Sequence, residues 1–191
     1  MKKIPTLFVR DWKGDRSRVT DEPHPDCAWV FLGEGIATRK RDGKAVRIDA
    51  AGVPWRRYDA LKNEKRPITF ESCGVDEETG KEPGWVVGCG SDEKWMDEAG
   101  NSADFEAGTY ELCGPKIGTR AGANPEGLDH HRLFLHGSER LEGVPTNFTM
   151  LRNWLEANVM EGVVWHHPDG RMAKIKRSDF GIPWPPKGER E

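Results

Sequence analysis

The chain contains 191 residues, of which 36% are hydrophobic and 32% charged, and its formal net charge is −3. This length is sufficient for one domain with a real hydrophobic core. No segment has the apolar length of a membrane span or a signal peptide, and the four cysteines show neither zinc-ligand nor disulfide spacing. We therefore expect one domain over residues 1–191, cytoplasmic and without a membrane partner.

Basic residues cluster along the sequence although the total charge is negative. The clusters comprise Arg39, Lys40, Arg41, Lys44 and Arg47, then Arg56 and Arg57, and finally Lys174, Lys176 and Arg177. A local basic strip can bind phosphate even on an acidic protein. Charge alone favours the simpler interpretation, that these residues form solvated faces.

The N-terminal part is predicted to be mainly β-structure. A short strand is expected within Ile4–Val9, and Cys27–Leu32 is an apolar run of strand length. Within Glu34–Asp49, Lys40 stands just before an Asp-Gly turn, with strand-like residues on both sides. Such a lysine can be held rigidly at a sheet edge, which suits a nucleophile.

Two segments after this turn, Lys44–Ile48 and Val53–Tyr58, are predicted to form an antiparallel strand pair. Successive side chains of a strand point to opposite faces. Only one of Arg56 and Arg57 can therefore face a cleft beside Lys40, and the sequence leaves open which one.

Strands and helices are also predicted in the rest of the chain. The strands are Trp85–Cys89, Thr109–Leu112, His130–His136, Glu161–Trp165 and Met172–Arg177. The helices are Asp92–Ala99 and Thr146–Ala157, the latter with Thr146 as its N-cap. The last two strands form a hairpin whose alternation puts Lys174 and Lys176 on one face.

Four short motifs stand in a characteristic order along the chain. They are Lys40-Arg41-Asp42-Gly43, Tyr110-Glu111-Leu112-Cys113-Gly114-Pro115-Lys116, Glu161-Gly162-Val163-Val164 and Lys174-Ile175-Lys176. The first resembles the KxDG signature of the covalent nucleotidyltransferases, and the others resemble the third, fourth and fifth motifs of ligases. The runs YELCGPKI, EGVVW and AKIKRSDFG are more similar to small phage-type RNA ligases than to DNA ligases. The resemblance spans residues 30–181.

The resemblance implies a fold and an activity. The fold is α+β: an ATP-grasp-like nucleotidyltransferase (adenylation) domain whose antiparallel sheets, flanked by helices, enclose an ATP cleft. No C-terminal OB domain is expected, and residues 182–191 are expected to form an irregular tail. The activity is that of an ATP-dependent RNA ligase, in which Lys40 attacks the α-phosphate of ATP and the lysyl-AMP formed is used to join 5′-phosphate and 3′-hydroxyl ends.

The resemblance also implies the site residues. The catalytic residues are Lys40, Lys174 and Lys176, and the ATP-binding set is Arg39, Lys40, Asp42, Gly43, Arg56, Arg57, Glu111, Phe134, Glu161, Lys174 and Lys176. Phe134 would stack on the adenine, although a core role is the more usual explanation for a phenylalanine. Glu111 and Glu161 would contact the ribose, the metal or its waters. ATP is expected as co-substrate, with Mg²⁺ or Mn²⁺.

The proposed nucleophile must lose a proton before it attacks phosphorus. For an unperturbed lysine with a pKa of ~10.4, this costs about 4.6 kcal/mol at pH 7. Neighbouring positive charge and partial burial lower such a pKa. Arg39, Arg41, Lys174, Lys176 and a divalent cation are the expected sources of that charge.

Several alternatives remain open. Within enzymes they are a minimal DNA ligase and a GTP-using capping guanylyltransferase, and outside enzymes an inactive nucleic-acid-binding module of the same fold. The expected partners are RNA strand ends, with DNA ends as the alternative, and a partner protein that supplies substrate binding. Zinc is not expected at the His130-His131 or His166-His167 pairs, because adjacent strand residues face opposite ways.

Overall fold

The computed structural model of the chain describes residues 1–77, 79–118 and 124–185, and shows an α+β protein with antiparallel sheets. Residues 182–185 form no helix or strand, and residues 186–191 of the predicted tail lie outside the described residues. In the described ranges, no helix is both long and apolar enough to cross a membrane.

Eleven strands and three α-helices make up the described part of the chain. In chain order the strands are β1 (Phe8–Arg10), β2 (Val19–Pro23), β3 (Ile36–Lys40), β4 (Lys44–Ile48), β5 (Pro54–Ala60), β6 (Glu71–Ser72), β7 (Glu82–Val87), β8 (Gly108–Cys113), β9 (Arg132–Leu135), β10 (Gly162–His166) and β11 (Met172–Lys176). The helices are α1 (Ala28–Phe31), α2 (Glu93–Ala99) and α3 (Phe148–Ala157).

These elements belong to two compact units. The first unit comprises Met1–Lys3 and Asp42–His136, and the second comprises Ile4–Arg41 together with the chain from Gly137 onward. The KxDG motif is divided between them, since Lys40 and Arg41 lie in the second unit and Asp42 and Gly43 in the first. A single domain over residues 1–191 stays a prediction.

The first unit contains a six-stranded antiparallel sheet in the order β6-β7-β5-β4-β8-β9. One face of the sheet carries Val46, Ile48, Tyr110 and Leu112, which pack against Met96 of α2 to form a buried core. The predicted antiparallel pairing of Lys44–Ile48 with Val53–Tyr58 is confirmed as β4 and β5.

The second unit contains a three-stranded antiparallel sheet in the order β11-β10-β3 and a two-stranded sheet of β1 and β2. Ala173 and Ile175 of β11, with Val163 of β10, point into a core shared with Leu151 and Leu155 of α3, and all five side chains are fully buried. The hairpin predicted from the sequence is therefore confirmed, with Lys174 and Lys176 on the face opposite the core.

The two strands that flank the KxDG motif do not pair with each other. Strand β3 pairs with β10, whereas β4 pairs with β5 and β8, so the two strands flanking the motif lie in different sheets. Side chains stabilise the connection instead: Asp42 N–H donates to Glu126 Oε1 at 3.0 Å and Gly43 N–H donates to Glu111 Oε1 at 3.1 Å. A Cβ at Gly43 would lie 2.3 Å from the Leu112 carbonyl oxygen, so only glycine fits there.

Two further predictions are corrected. Cys27–Leu32 contains helix α1 rather than a strand, because a short apolar run does not distinguish the two, and Pro25 and the His24 cap begin a helical turn just before it. Helix α3 is capped by the side chain of Asn147, which accepts the Met150 N–H at 3.2 Å, rather than by Thr146.

Gly162, the residue of β10 between Lys40 and Lys176, is predicted to be intolerant of any side chain. A Cβ there would lie 2.0 Å from the carbonyl oxygen of Ile175. We expect Gly162→Ala to lower the free energy of unfolding by about 3 kcal/mol or more. Urea unfolding of the variant measures this.

The matched control is Gly33→Ala, at a glycine with a positive φ of 80° but open space around its missing side chain. Backbone strain alone should lower its free energy of unfolding by about 1 kcal/mol. Equal losses in both variants would show that the close approach at Gly162 is not the cause.

Candidate active site

The second unit brings three lysines to one face of its sheet. In the strand register Lys40 lies opposite Gly162, which in turn lies opposite Lys176. One row along, Thr38 lies opposite Val164 and Val164 opposite Lys174. Because side chains two residues apart share a face, Lys40, Lys174 and Lys176 lie on the same side, away from the core.

Lys40 forms an ion pair with the acid of the fourth motif. Its Nζ lies 2.5 Å from Glu161 Oε2 and 3.4 Å from the Arg41 carbonyl oxygen. Glu161 is only 7% exposed, and its carbonyl oxygen accepts the Arg177 N–H at 2.8 Å. The ammonium is therefore held by a buried carboxylate of a residue whose backbone is itself hydrogen-bonded.

The environment of Lys174 disfavours its charge. Burial is the main cause, and the neighbouring ammonium groups of Lys40 and Lys176 add to it, so that the pKa of Lys174 falls to about 8 from 10.5. Asp179 and Glu161 act in the opposite direction. A half-buried face with three clustered lysines is a favourable place for an anion.

Two arginines that flank Lys40 in sequence share one acid. Arg39 Nη1 lies 3.4 Å from Glu139 Oε1 and Arg41 Nη2 lies 2.7 Å from Glu139 Oε2. The Arg39 N–H also donates to the Glu139 carbonyl oxygen at 2.9 Å. Arg39 is opposite Val163 in the register and so lies on the other face from Lys40; its contact with ATP stays a prediction.

The first unit holds the remaining predicted residues. Glu111 of β8 lies opposite Phe134 of β9, and its carboxylate accepts the Gly43 N–H at 3.1 Å and lies 2.9 Å from His136 Nε2. His136 Nδ1 in turn lies 3.0 Å from Thr109 Oγ1. Glu111, Phe134 and His136 therefore share one face of the sheet, and Glu111 is fixed from two sides.

The sheet register separates the two adjacent arginines. Arg56 lies opposite Val46, on the face that packs against α2. Arg57 lies opposite Trp85 and two residues after Trp55, so that its side chain is on the same face as that of Trp55. Trp55 in turn lies opposite Arg47. Alternation puts Arg47 and Glu111 on the same face of their strands, so that Arg57, and not Arg56, shares the face of Glu111.

Both arginines already have neighbours within the first unit. Arg57 Nε donates to Asp59 Oδ1 at 2.9 Å, and its Nη1 donates to the Met1 carbonyl oxygen. Arg56 lies over the Tyr58 ring at 5.4 Å. Both arginines line a cavity of about 630 Å³, together with residues that include Lys44, Cys89, Ser91, Asp92 and Leu112.

Some residues of these sites were not identified from the sequence. They are Glu139, Glu126, Thr38 and Asp179. No local pattern in the sequence shows that Glu139 contacts Arg39 and Arg41, which lie 100 and 98 residues earlier in the chain. Within the described ranges, no three His, Cys, Asp or Glu side chains come together as a metal-binding group.

Three lysines on one half-buried face, one of them in an ion pair with a buried carboxylate, give a positive charge that suits phosphate binding and group-transfer chemistry. Comparison with known proteins agrees with this class. The family model described as RNA ligase 1 matches residues 100–190. RNA ligase 1 of Rattus norvegicus is 36% identical over 176 residues, covering 86% of this chain and 50% of that protein.

Other relatives match over a shorter part. RNA ligase 1 of Danio rerio is 36% identical over 92 residues, covering 44% of this chain and 27% of that protein, and the protein of the same name from Pongo abelii is 33% identical over the same length. The chain thus spans half or less of the length of these relatives. The predicted resemblance to RNA ligases is confirmed, while the phage-type subtype stays a prediction.

Lys174→Met is predicted to stabilise the protein at neutral pH. The folded-state pKa of Lys174, about 8, lies below its usual 10.5, so that keeping the ammonium protonated opposes folding below pH 8. The cost in folding free energy decreases between pH 8 and pH 10.5 and is absent above pH 10.5. We expect a gain of about 1 to 3 kcal/mol at pH 7 that disappears by about pH 10.5.

Free energies of unfolding at pH values from 7 to about 10.5 measure this dependence. The matched control is Lys13→Met, at an exposed lysine of the same unit, which should change stability by less than about 0.5 kcal/mol at every pH. A gain in Lys174→Met that does not depend on pH would contradict the electrostatic explanation.

Proposed function

We propose that the protein is an ATP-dependent RNA ligase that works through a covalent lysyl-AMP at Lys40. The observation that carries the proposal is the position of Lys40 Nζ, 2.5 Å from Glu161, on the same sheet face as Lys174 and Lys176. The similarity to RNA ligase 1 proteins supports RNA as the substrate class.

The first chemical step is transfer of AMP to the protein. Neutral Lys40 Nζ attacks the α-phosphorus of ATP, the bond from that phosphorus to the bridging oxygen breaks, and pyrophosphate leaves with the electron pair. Lys40 gives up protons to become the phosphoramidate nitrogen. AMP is then transferred to an RNA 5′-phosphate, and a 3′-hydroxyl displaces it to form the phosphodiester bond.

Lys174 and Lys176 would bind the α-phosphate in this step. Catalysis of phosphoryl and nucleotidyl transfer is mainly positioning and charge neutralisation. An ammonium group contributes to it only while protonated, and a bound phosphate raises the pKa of a lysine beside it. The depressed pKa of Lys174 would therefore be relieved when the nucleotide binds.

The carboxylates of the site have the donor chemistry for the expected metal. Mg²⁺ prefers oxygen ligands and is usually held by one or two carboxylates together with substrate phosphates. Glu161 in the second unit and Glu111 in the first each offer such a carboxylate. When bound, Mg²⁺ or Mn²⁺ would offset the negative charge of the phosphates.

The first unit would contribute the nucleoside contacts. Glu111 and Phe134 lie side by side in the register of β8 and β9, which suits a carboxylate that accepts ribose hydroxyls and a ring that stacks on adenine. The sheet architecture is compatible with an ATP-grasp-like nucleotidyltransferase fold, which we include in the proposal.

Intact-mass measurement of the purified protein with ATP and a divalent cation tests the first step. We expect a gain of one AMP that added pyrophosphate reverses and that Lys40→Ala abolishes. Lys44→Ala is the matched control, since Lys44 is close in sequence but pairs with Asp92 at 2.5 Å in the first unit. No adduct with ATP or GTP on folded, unmodified protein would contradict the proposal and leave the binding module.

The acceptor is tested separately with 5′-phosphorylated RNA and DNA strands of the same sequence. Joining of RNA in preference to DNA is expected, and the joined product should be absent with Lys40→Ala. A preference for DNA would support the minimal DNA ligase instead, and a lysyl-GMP without strand joining would support the capping enzyme.

Arg57→Gln and Arg56→Gln form a matched pair, because the two arginines are adjacent but lie on opposite faces. We expect Arg57→Gln to raise the ATP concentration for half-maximal lysyl-AMP formation by about ten-fold, the effect of losing one charged hydrogen bond. The increase in Arg56→Gln should be smaller. An equal or larger effect of Arg56→Gln would contradict the assignment of Arg57 to the nucleotide face.

A further inference from the structure

The buried acid Asp179 lies next to the lysine face, and no step of the proposed reaction uses it. Asp179 belongs to the 3₁₀ turn Arg177–Phe180, which follows β11, and is 1% exposed. Its Oδ2 accepts the backbone N–H of Lys176 at 2.8 Å. Its Oδ1 accepts a hydrogen bond from Arg10 Nη2 at 3.1 Å. The carboxylate thus joins the end of β11 to the N-terminal segment.

The N-terminal segment also holds Lys174 through its backbone. The Leu7 N–H donates to the Lys174 carbonyl oxygen at 2.8 Å, and the Lys174 N–H donates to the Pro5 carbonyl oxygen at 3.0 Å. The chain then continues into β1, which ends at Arg10. Both backbone groups of Lys174 and the N–H of Lys176 are therefore fixed by residues 5–10 and by Asp179.

Asp179 also affects the charge of Lys174. Lys40 and Lys176 lower the pKa of Lys174, and Asp179 and Glu161 raise it; the paired residues Pro5–Leu7 bring no charge. Glu161 is already in an ion pair with Lys40. Asp179 is the second acid that offsets the positive charge of this face.

We propose that Asp179, held by Arg10, is a positioning residue for Lys174 and Lys176. It fixes the strand end that carries them and supplies negative charge that keeps Lys174 protonated before a nucleotide binds. Because it concerns how these lysines bind phosphate, the inference rests on the proposed function. The simpler alternative is that Asp179 only caps the 3₁₀ turn through the Lys176 N–H.

Asp179→Asn separates the two roles. The amide oxygen of Asn can still accept the Lys176 N–H, but the negative charge is lost. Arg10→Gln removes a positive charge, where Asp179→Asn removes a negative one, and it leaves the Asp179 carboxylate in place. A role through charge therefore predicts opposite effects on Lys174, whereas a role through packing alone predicts that both variants loosen the same turn.

The readout is the reactivity of Lys174 toward dilute acetic anhydride as a function of pH, without nucleotide, measured by mass spectrometry of the Lys174 peptide. Only the neutral amine reacts, so the midpoint of the curve reports ionisation. We expect a midpoint near pH 8 in the unmodified sequence, lower by about 0.5 or more in Asp179→Asn and higher in Arg10→Gln.

Asp169→Asn is the matched control, because Asp169 pairs with Arg171 at 2.7 Å in the turn of the same hairpin. Its midpoint should equal that of the unmodified sequence. Equal midpoints in all variants, or a decrease in both Asp179→Asn and Arg10→Gln, would overturn the proposal. If Asp179→Asn does not fold, an increase in Arg10→Gln supports the charge effect and a decrease overturns it.

Lysyl-AMP formation by the same variants separates this inference from the proposed function. In active protein, Asp179→Asn should lose activity above a lower pH than the unmodified sequence, by the same displacement as the Lys174 midpoint. Displaced midpoints in protein that forms no lysyl-AMP would support the electrostatic role of Asp179 and overturn the ligase function instead. An unchanged alkaline limit in active Asp179→Asn would overturn the positioning role.

Discussion

The site of the second unit depends on the close approach of three strands at Gly162. Lys40, Gly162 and Lys176 lie opposite one another in the register, and Gly162 has no room for a Cβ because the Ile175 carbonyl oxygen would be 2.0 Å away. The middle strand therefore has no side chain between the two lysines. The preceding residue, Glu161, supplies the carboxylate that holds Lys40. Backbone packing thus determines which charges come together.

Bringing three ammonium groups to one half-buried face has an electrostatic cost, because like charges repel and burial removes hydration. Two acids, Glu161 and Asp179, reduce that cost from opposite ends of the face, one through Lys40 and one behind Lys176. The cost that remains appears as the lowered pKa of Lys174. Such a face gains more from binding a phosphate than an exposed lysine cluster, whose charges are already screened by water.

Features with a local cause could be predicted from the sequence. Lys174 and Lys176 share a face because the strand period is two, and Asp169-Gly170 favours a tight turn between β10 and β11. The strand containing Glu111 and the pairing of β4 with β5 follow from similar local patterns. Helix α1 was missed because a short apolar run packs equally well as a helical turn or a strand.

Features that depend on distant partners could not be predicted from composition or spacing. The proximity of Lys40 to Lys174 follows from the pairing of β3 with β10, which joins residues more than 100 positions apart, and only the family resemblance suggested it. The contacts of Glu139 with Arg41 and of Arg10 with Asp179 also join distant parts of the chain, and neither the local pattern nor the resemblance indicated them. The sequence leaves open whether Arg56 or Arg57 shares the face of Glu111, because alternation shows only that the two point to opposite faces. The pairing of β5 with β4 and β7 decides it.

The comparisons and the geometry support each other most strongly at the second unit. An alignment that covers 86% of the chain necessarily includes both Lys40 and Glu161, and the family match over residues 100–190 includes Lys174, Lys176 and Asp179. The ion pair, the two further lysines and the buried acid therefore all lie within the part of the chain that these matches span. A lone lysine at a strand end is common, whereas a lysine held by a buried acid beside two others is not. This combination therefore supports the proposed nucleotidyl-transfer site rather than a solvated basic face.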